Sequence, residues 1–297
     1  MEMLGVCIKC GQYKELIHSH VISKFIGKRI YLGPKKSGGF NLFSGYTMLE
    51  PNHSSYTKKC SWKFGQDLPK PFLMCKLCDG SFSAQERLLS QLIDTSKLFD
   101  SPALIYSSQC LIPSKITGLE DFQEYQLPEN EQRLLRRNGI ITCWRALHAT
   151  ARSSSSKGGI TSLNSFLESA RGTQMNYEVI KYFDSESAPE PGHFALFLAP
   201  SALTIELSGS QGVAPHGWDV IIFSGKDHSD AYMVAVWFGC WMLLWAPEKT
   251  HHDPAVASIV AEIRMSQVAT TWPLTTLKPR VDNAIDQLEK RNGARLE

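Results

Sequence analysis

Leu73-Met74-Cys75-Lys76-Leu77-Cys78-Asp79 holds a Cys-x-x-Cys pair that repeats, at the same spacing, Cys7-Ile8-Lys9-Cys10 near the start of the chain. In such a turn two Sγ atoms converge on one ion, and two turns together complete a closed tetrahedral four-thiolate zinc site. Four protein ligands saturate the metal, so the expected zinc is structural. The alternative, four ordinary buried thiols, leaves the duplicated spacing unexplained. The 64 residues between the pairs are more than a compact finger uses, so an inserted loop or hairpin is expected between the two knuckles.

A chain of 297 residues allows one large domain or two of ordinary size. With 43% hydrophobic and 20% charged residues its composition is that of a globular protein. The net charge of +2 conceals a gradient. Residues 1–100 carry 14 Lys and Arg against 8 Asp and Glu, residues 101–200 carry 9 against 10, and residues 201–297 carry 8 against 11. The cysteine-bearing third is thus the basic one, at +6. That suits a polyanionic partner such as nucleic acid, although a solvated lysine-rich surface accounts for it nearly as well. Eight cysteines without a basic, apolar leader at the N-terminus point to thiols kept reduced and to a cytoplasmic protein.

Outward from the cysteines, residues 4–17 read as a knuckle followed by an extended segment, with Gly11 suited to the tight turn. His18 and His20 follow. In a strand they share a face, with Ser19 opposed to them. If the chain turns helical at Val21, then Val21, Ile22, Phe25 and Ile26 form an apolar stripe that leaves Lys24, Lys28 and Arg29 outside it to face phosphates. Residues 31–72 are a basic insertion punctuated by Gly and Pro, with lysines interleaved among aromatics. From Asp79 a helix is expected, with Phe82, Leu88, Leu89, Leu92 and Ile93 on one broad face. The order knuckle, hairpin, knuckle, helix is the layout of a treble-clef zinc finger.

Beyond residue 100 the pattern changes. Pro128 and the acids after it suit a helix N-terminus, and a helix to about residue 151 presents Leu134, Leu135, Ile141, Trp144 and Leu147. Shorter helices are expected over 163–170 and 176–182. Strands are expected at 193–199, 203–207 and 218–223, with 231–245 as two buried strands or one bulged strand. The apolar run 232–246 has 15 residues, too few for a membrane span of about 20. Two helices close the chain, over 254–268 and 279–292. The expected fold is α+β: a treble-clef (ββα) zinc module over 1–100, then a mixed helical and antiparallel β domain over 101–297. That second domain is helical over 128–182, β-rich over 189–247 and helical again over 254–292. A homo-oligomer or protein contact, where one exists, is assigned to this second domain.

Cys7-x-x-Cys10-Gly11, then Ser19-His20-Val21-Ile22-Ser23-Lys24-Phe25, then Leu73-Met74-Cys75-x-x-Cys78-Asp79 with Phe82, Ser83 and Glu86 together resemble the zinc-bound HNH, or His-Me finger, nucleases. The likeness covers roughly residues 4–95 and extends to poorly characterised bacterial HNH-like proteins, which have proline where this chain has Ser23. Cys143-Trp144-Arg145-Ala146 is the one further suggestive segment. The resemblance implies an endonuclease in which His20 is the general base that takes a proton from the attacking water. It further implies that Asp79, just after the last cysteine, holds a catalytic Mg or Mn ion, and it connects such proteins with defence against phage. A neutral imidazole with an ordinary pKa near 6.5 suits that role at neutral pH.

Other residues carry lesser expectations. His18 is a candidate second ligand or a neighbour that orients His20. Glu86 lies about 10 Å along the helix from Asp79 at 1.5 Å per residue, too far to share one ion, and reads as a supporting or structural residue. Arg145 is a weak candidate for a phosphate contact. Ser19 stands where the family has an acid, and the asparagine expected a few residues before the second cysteine pair is absent, Asn41 and Asn52 being candidates only if the insertion folds back. A second reading therefore stays open: a catalytically degraded zinc finger that binds nucleic acid or a protein without cutting.

Overall fold

The computed structural model describes residues 3–23, 43–51, 56–62, 70–96, 111–113, 123–125, 127–155, 161–198, 217–223, 233–238 and 241–247. Lys24, Lys28, Arg29, Asn41 and Asn52, the expected strand 203–207 and the expected helices 254–268 and 279–292 lie outside the described residues. In chain order the elements are β1 (Met3–Val6), β2 (Tyr13–His18), β3 (Phe43–Pro51), β4 (Tyr56–Trp62), β5 (Phe72–Met74), α1 (Lys76–Ser96), β6 (Leu111–Pro113), β7 (Gln123–Tyr125), α2 (Glu129–Ser155), α3 (Thr161–Glu168), α4 (Ala170–Asp184), β8 (His193–Leu198), β9 (Gly217–Phe223), β10 (Met233–Phe238) and β11 (Trp241–Ala246).

The centre of the fold is α2. From Leu135 to Ala151 its side chains are buried apart from half-buried Arg136, so the one-sided helix expected from sequence is in fact enclosed on all sides. Three of its buried polar residues are satisfied within the helix. Asn138 Nδ2 donates to the Leu134 carbonyl, Thr142 Oγ1 to the Asn138 carbonyl and Thr150 Oγ1 to the Ala146 carbonyl, each at 2.9 Å; these bonds run back one turn.

One side of α2 faces an eight-stranded sheet in the order β4-β3-β9-β10-β11-β8-β7-β6. The register sets Val234 beside both Trp245 and Ile222, Val236 beside Leu243 and Val220, and Phe194 beside Trp245. Because side chains alternate across a strand, these residues share one face, and all of them belong to the core that contains Ile140, Ile141, Trp144 and Leu147 of α2. Met233, Ala235 and Leu244, on the opposite face, are buried too. Burial on both faces explains why 232–246 reads as a continuous apolar run, and the run resolves into two antiparallel strands.

The β3–β4 hairpin lies between the cysteine pairs, and it joins this sheet through a parallel pairing of β3 with β9. All other pairings among the described residues are antiparallel. The sheet therefore crosses residue 100.

On the other side, α2 meets the N-terminal unit, in which β1, β2 and β5 form a three-stranded antiparallel sheet that leads into α1. Phe82 and Leu89 of α1 are buried, whereas Leu88, expected on the same face, is 52% exposed. Leu88 lies six residues, some 600° of helical turn, beyond Phe82, which rotates it away from α2. Helix α4 starts at Ser169, whose hydroxyl accepts from the Gly172 amide at 3.2 Å. This cap starts the helix six residues earlier than its apolar pattern suggests. Met175, Val179, Tyr182 and Phe183 then face the core at the spacing of one helical stripe. Among the described residues, no helix is long and apolar enough to cross a membrane.

Candidate metal centre

The first knuckle is the turn between β1 and β2. Gly11 adopts φ +68°, a conformation that side chains resist, and its amide donates to the Cys7 carbonyl at 2.9 Å. The second pair straddles the start of α1: Cys75 precedes the helix and Cys78 sits in its first turn, as the Asp79 amide closes on the Cys75 carbonyl at 3.0 Å. The knuckles are sewn together by the Ile8 amide donating to the Leu73 carbonyl at 3.1 Å and the Cys75 amide donating to Cys7 Sγ at 3.4 Å.

This brings the Sγ atoms of Cys7, Cys10, Cys75 and Cys78 within 4.8 Å of one another. A tetrahedral ion with Zn–S bonds of about 2.3 Å needs sulfurs roughly 3.8 Å apart, so the donor set fits zinc with little movement. Burial, followed by hydrogen bonds from Cys75, Cys10 and Cys7, pushes the Cys78 thiol well above its ordinary range, and a bound divalent ion reverses that preference by stabilising thiolates.

Three cationic side chains anchor the unit to the helices. Lys9, inside the first knuckle, donates to Asp184 Oδ1 at 2.8 Å and Ser81 Oγ at 3.0 Å, and lies 4.9 Å and 4.8 Å from the ring centroids of Phe82 and Phe183. From α2, Arg152 donates to the carbonyl of Val6, adjacent to Cys7, at 2.6 Å, and to the carbonyl of Phe72. Arg145 Nη1 donates to Glu86 Oε1 at 2.7 Å and to the His20 carbonyl at 3.1 Å. From sequence, Arg145 is a weak candidate for a phosphate contact and Glu86 a supporting or structural residue. Arg145 is only 2% exposed and turns inward, so in this fold it is unavailable to nucleic acid. Lys9 and Arg152 were not singled out from sequence. The available signal was the seven-residue spacing of Arg145 and Arg152, two helical turns, which puts both on one side of α2.

The histidine segment lies at the end of β2, where the pairing with β5 shifts register between Ile17 and His18. Burial alternates through it. His18 is exposed, Ser19 is fully buried and His20 is half-buried. His18 Nδ1 donates to the Lys70 carbonyl at 2.6 Å, and its ring lies 3.9 Å from that of Phe72. In the neutral form this bond fixes the tautomer and puts the lone pair on Nε2. The Ser19 amide donates to the Pro71 carbonyl at 3.0 Å, while its buried hydroxyl has no partner among the described residues. After Ser19, Val21 and Ile22 are buried in a bend that is not helical as far as Ser23. Asp79 is half-buried in the first turn of α1.

Among the described residues, the four cysteines are the one group of three or more His, Cys, Asp or Glu that converges on a point. His18, His20, Asp79 and Glu86 thus make no such group, and Glu86 is held by Arg145. Compared with models of known protein families, with characterised proteins and with solved structures, the chain matches none.

Proposed function

We propose that the chain is a zinc-stapled, HNH-like endonuclease that hydrolyses phosphodiester bonds of DNA or RNA. The observation that carries the reading is the order of elements around the four-cysteine cluster. The antiparallel pair β2–β5 leads into α1; His18 and Ser19 lie against Phe72 and Pro71 at the start of β5, with His20 next in the chain, and Asp79 lies in the first turn of the helix that follows β5.

In this reading zinc holds the unit in shape and takes no part in the chemistry. His20, as a neutral imidazole, takes the proton of a water positioned for attack on phosphorus. Asp79 and His18 are the side chains that would hold a hard divalent ion. Such an ion, when bound, supplies charge stabilisation for the phosphorane and the leaving oxygen. Two protein ligands suffice because Mg and its like keep waters and take phosphate oxygens from the substrate, which accommodates the lack of a second converging group. Ser19 offers only a buried hydroxyl where an acid would be the stronger ligand, and this favours a second reading in which the unit grips nucleic acid without cutting.

Supercoiled plasmid and single-stranded RNA incubated with Mg or Mn separate the two. The nuclease reading expects divalent-dependent products that disappear in His20→Ala at unchanged zinc content. The binding reading expects retention that weakens steeply with salt and no products.

A further inference from the structure

A guanidinium stripped of water is stable only where partners hold it in one orientation. Arg145 is such a group, and its attachments come from two elements of the N-terminal unit. Glu86 Oε1 and the Phe82 ring, 4.5 Å from the guanidinium carbon, belong to α1; the carbonyl at 3.1 Å is that of His20, beyond the end of β2. The side chain of Glu86 is itself about three-quarters buried. Strand pairing fixes the chain up to His18, and the Ser19 amide makes the next bond, to Pro71. Arg145 takes the carbonyl of the next residue, His20. That carbonyl sits on the same residue as the imidazole proposed as base, so the bond constrains the peptide plane on which that side chain is mounted.

We infer that Arg145, oriented by Glu86, is the positioning residue for His20: it holds the His20 main chain so that the imidazole is presented at one place, without itself touching substrate. This rests on the reading of His20 as the general base. It assigns Glu86 to the orientation of Arg145 rather than to a metal ion, and it explains why an arginine occupies the buried middle of α2. Three roles for Arg145 are thereby distinguished. A phosphate contact would act on substrate binding and on its salt dependence. A packing role alone would act on stability. A positioning role acts on turnover in a folded, zinc-loaded protein.

The test uses the full chain as wild type, Arg145→Ala, Arg145→Lys and Glu86→Gln, with His20→Ala as reference. The readouts are cleavage of a short labelled duplex in Mn, zinc per chain, and the His20 imidazole NMR signal, assigned by its loss in His20→Ala. Displacing a reacting group by about 1 Å costs on the order of 100-fold. Arg145→Ala is therefore expected to lower kcat about 100-fold with KM within about twofold and zinc unchanged. Arg145→Lys, which keeps the charge and one bond, is expected to recover roughly tenfold of that, and Glu86→Gln to fall between. The His20 signal moves in Arg145→Ala. A rise in KM at constant kcat, or a His20 signal identical to wild type, overturns the assignment. Should Arg145→Ala not fold, Arg145→Lys and Glu86→Gln decide by the same criteria. Should the wild type cut nothing, the endonuclease reading falls on its own, and the position of the His20 signal in the Arg145 and Glu86 variants still upholds or refutes the positioning.

Discussion

Acidification should destabilise this fold through His148. The residue is buried on α2, where its Nε2 donates to Asn176 Oδ1 at 2.9 Å, an oxygen that also accepts from Trp144 Nε1 at 2.8 Å. Burial is the main force that lowers the His148 pKa from 6.5 to about 4; the charge of Arg152 adds to it, and the bond to Asn176 opposes it. Below pH 6.5 the unfolded chain takes up a proton at this residue that the folded chain refuses until about pH 4. The stability due to neutral His148 is therefore complete above pH 6.5 and is lost as the pH falls toward 4. At 1.36 kcal/mol per unit the interval amounts to about 3 kcal/mol, of which about 2.5 kcal/mol is gone by pH 4.5. Urea melts followed by tryptophan fluorescence suit the measurement, because the Trp144 ring lies edge-on 5.2 Å from the imidazole. The comparison is His148→Gln, which keeps an N–H donor and does not titrate. Between about pH 7 and pH 4.5 the wild type should lose about 2.5 kcal/mol more than the variant, with zinc content followed in both so that any acid release of metal cancels. Equal losses in the two proteins would refute the claim that His148 is buried and neutral.

Two further expectations follow from packing. Chelation should remove one zinc per chain, and Cys75→Ser should fail to retain it. Because Lys9, Arg145 and Arg152 tie the cysteine unit to the helices, hydrogen exchange should then accelerate in the middle of α2 as well as in β1, β2, β5 and α1; acceleration confined to those four would contradict the shared core. Two glycines give opposite signs for one substitution. A Cβ on Gly139 would meet Phe194 Cζ at 2.1 Å, in a ring only 1% exposed, whereas a Cβ on Gly80 has nothing within 4 Å. Gly80→Ala should raise the melting temperature through a helix gain of up to about 1 kcal/mol. Gly139→Ala should lower it, because overpacking costs about 1–3 kcal/mol and outweighs that gain.

What the sequence made legible was local. Duplicated Cys-x-x-Cys spacing announced the cluster of four cysteines, Gly11 marked the knuckle turn, and apolar periodicity located α1, α2 and the second half of α4, because each signal is complete within a few residues. What it concealed was long-range. The parallel pairing of β3 with β9 joins Phe43 to Gly217, and nothing in either strand names its partner. Arg145 reads as a surface cation because its acid, Glu86, comes from a segment 59 residues away. Leu88 reads as core because a broad helical stripe includes it, although α1 turns it to solvent. The catalytic reading inherits this division. The cysteine scaffold is geometric, whereas the roles of His20 and Asp79 are chemical proposals built on where that scaffold holds them.

The most direct test of the central claim is the conversion of supercoiled plasmid to nicked and linear forms by the full chain in Mg or Mn, with wild type and His20→Ala matched for zinc content. The account predicts products that require the divalent ion and vanish in His20→Ala. Equal cutting by both proteins would remove His20 as the base, and salt-sensitive binding without products at any divalent concentration would contradict catalysis altogether.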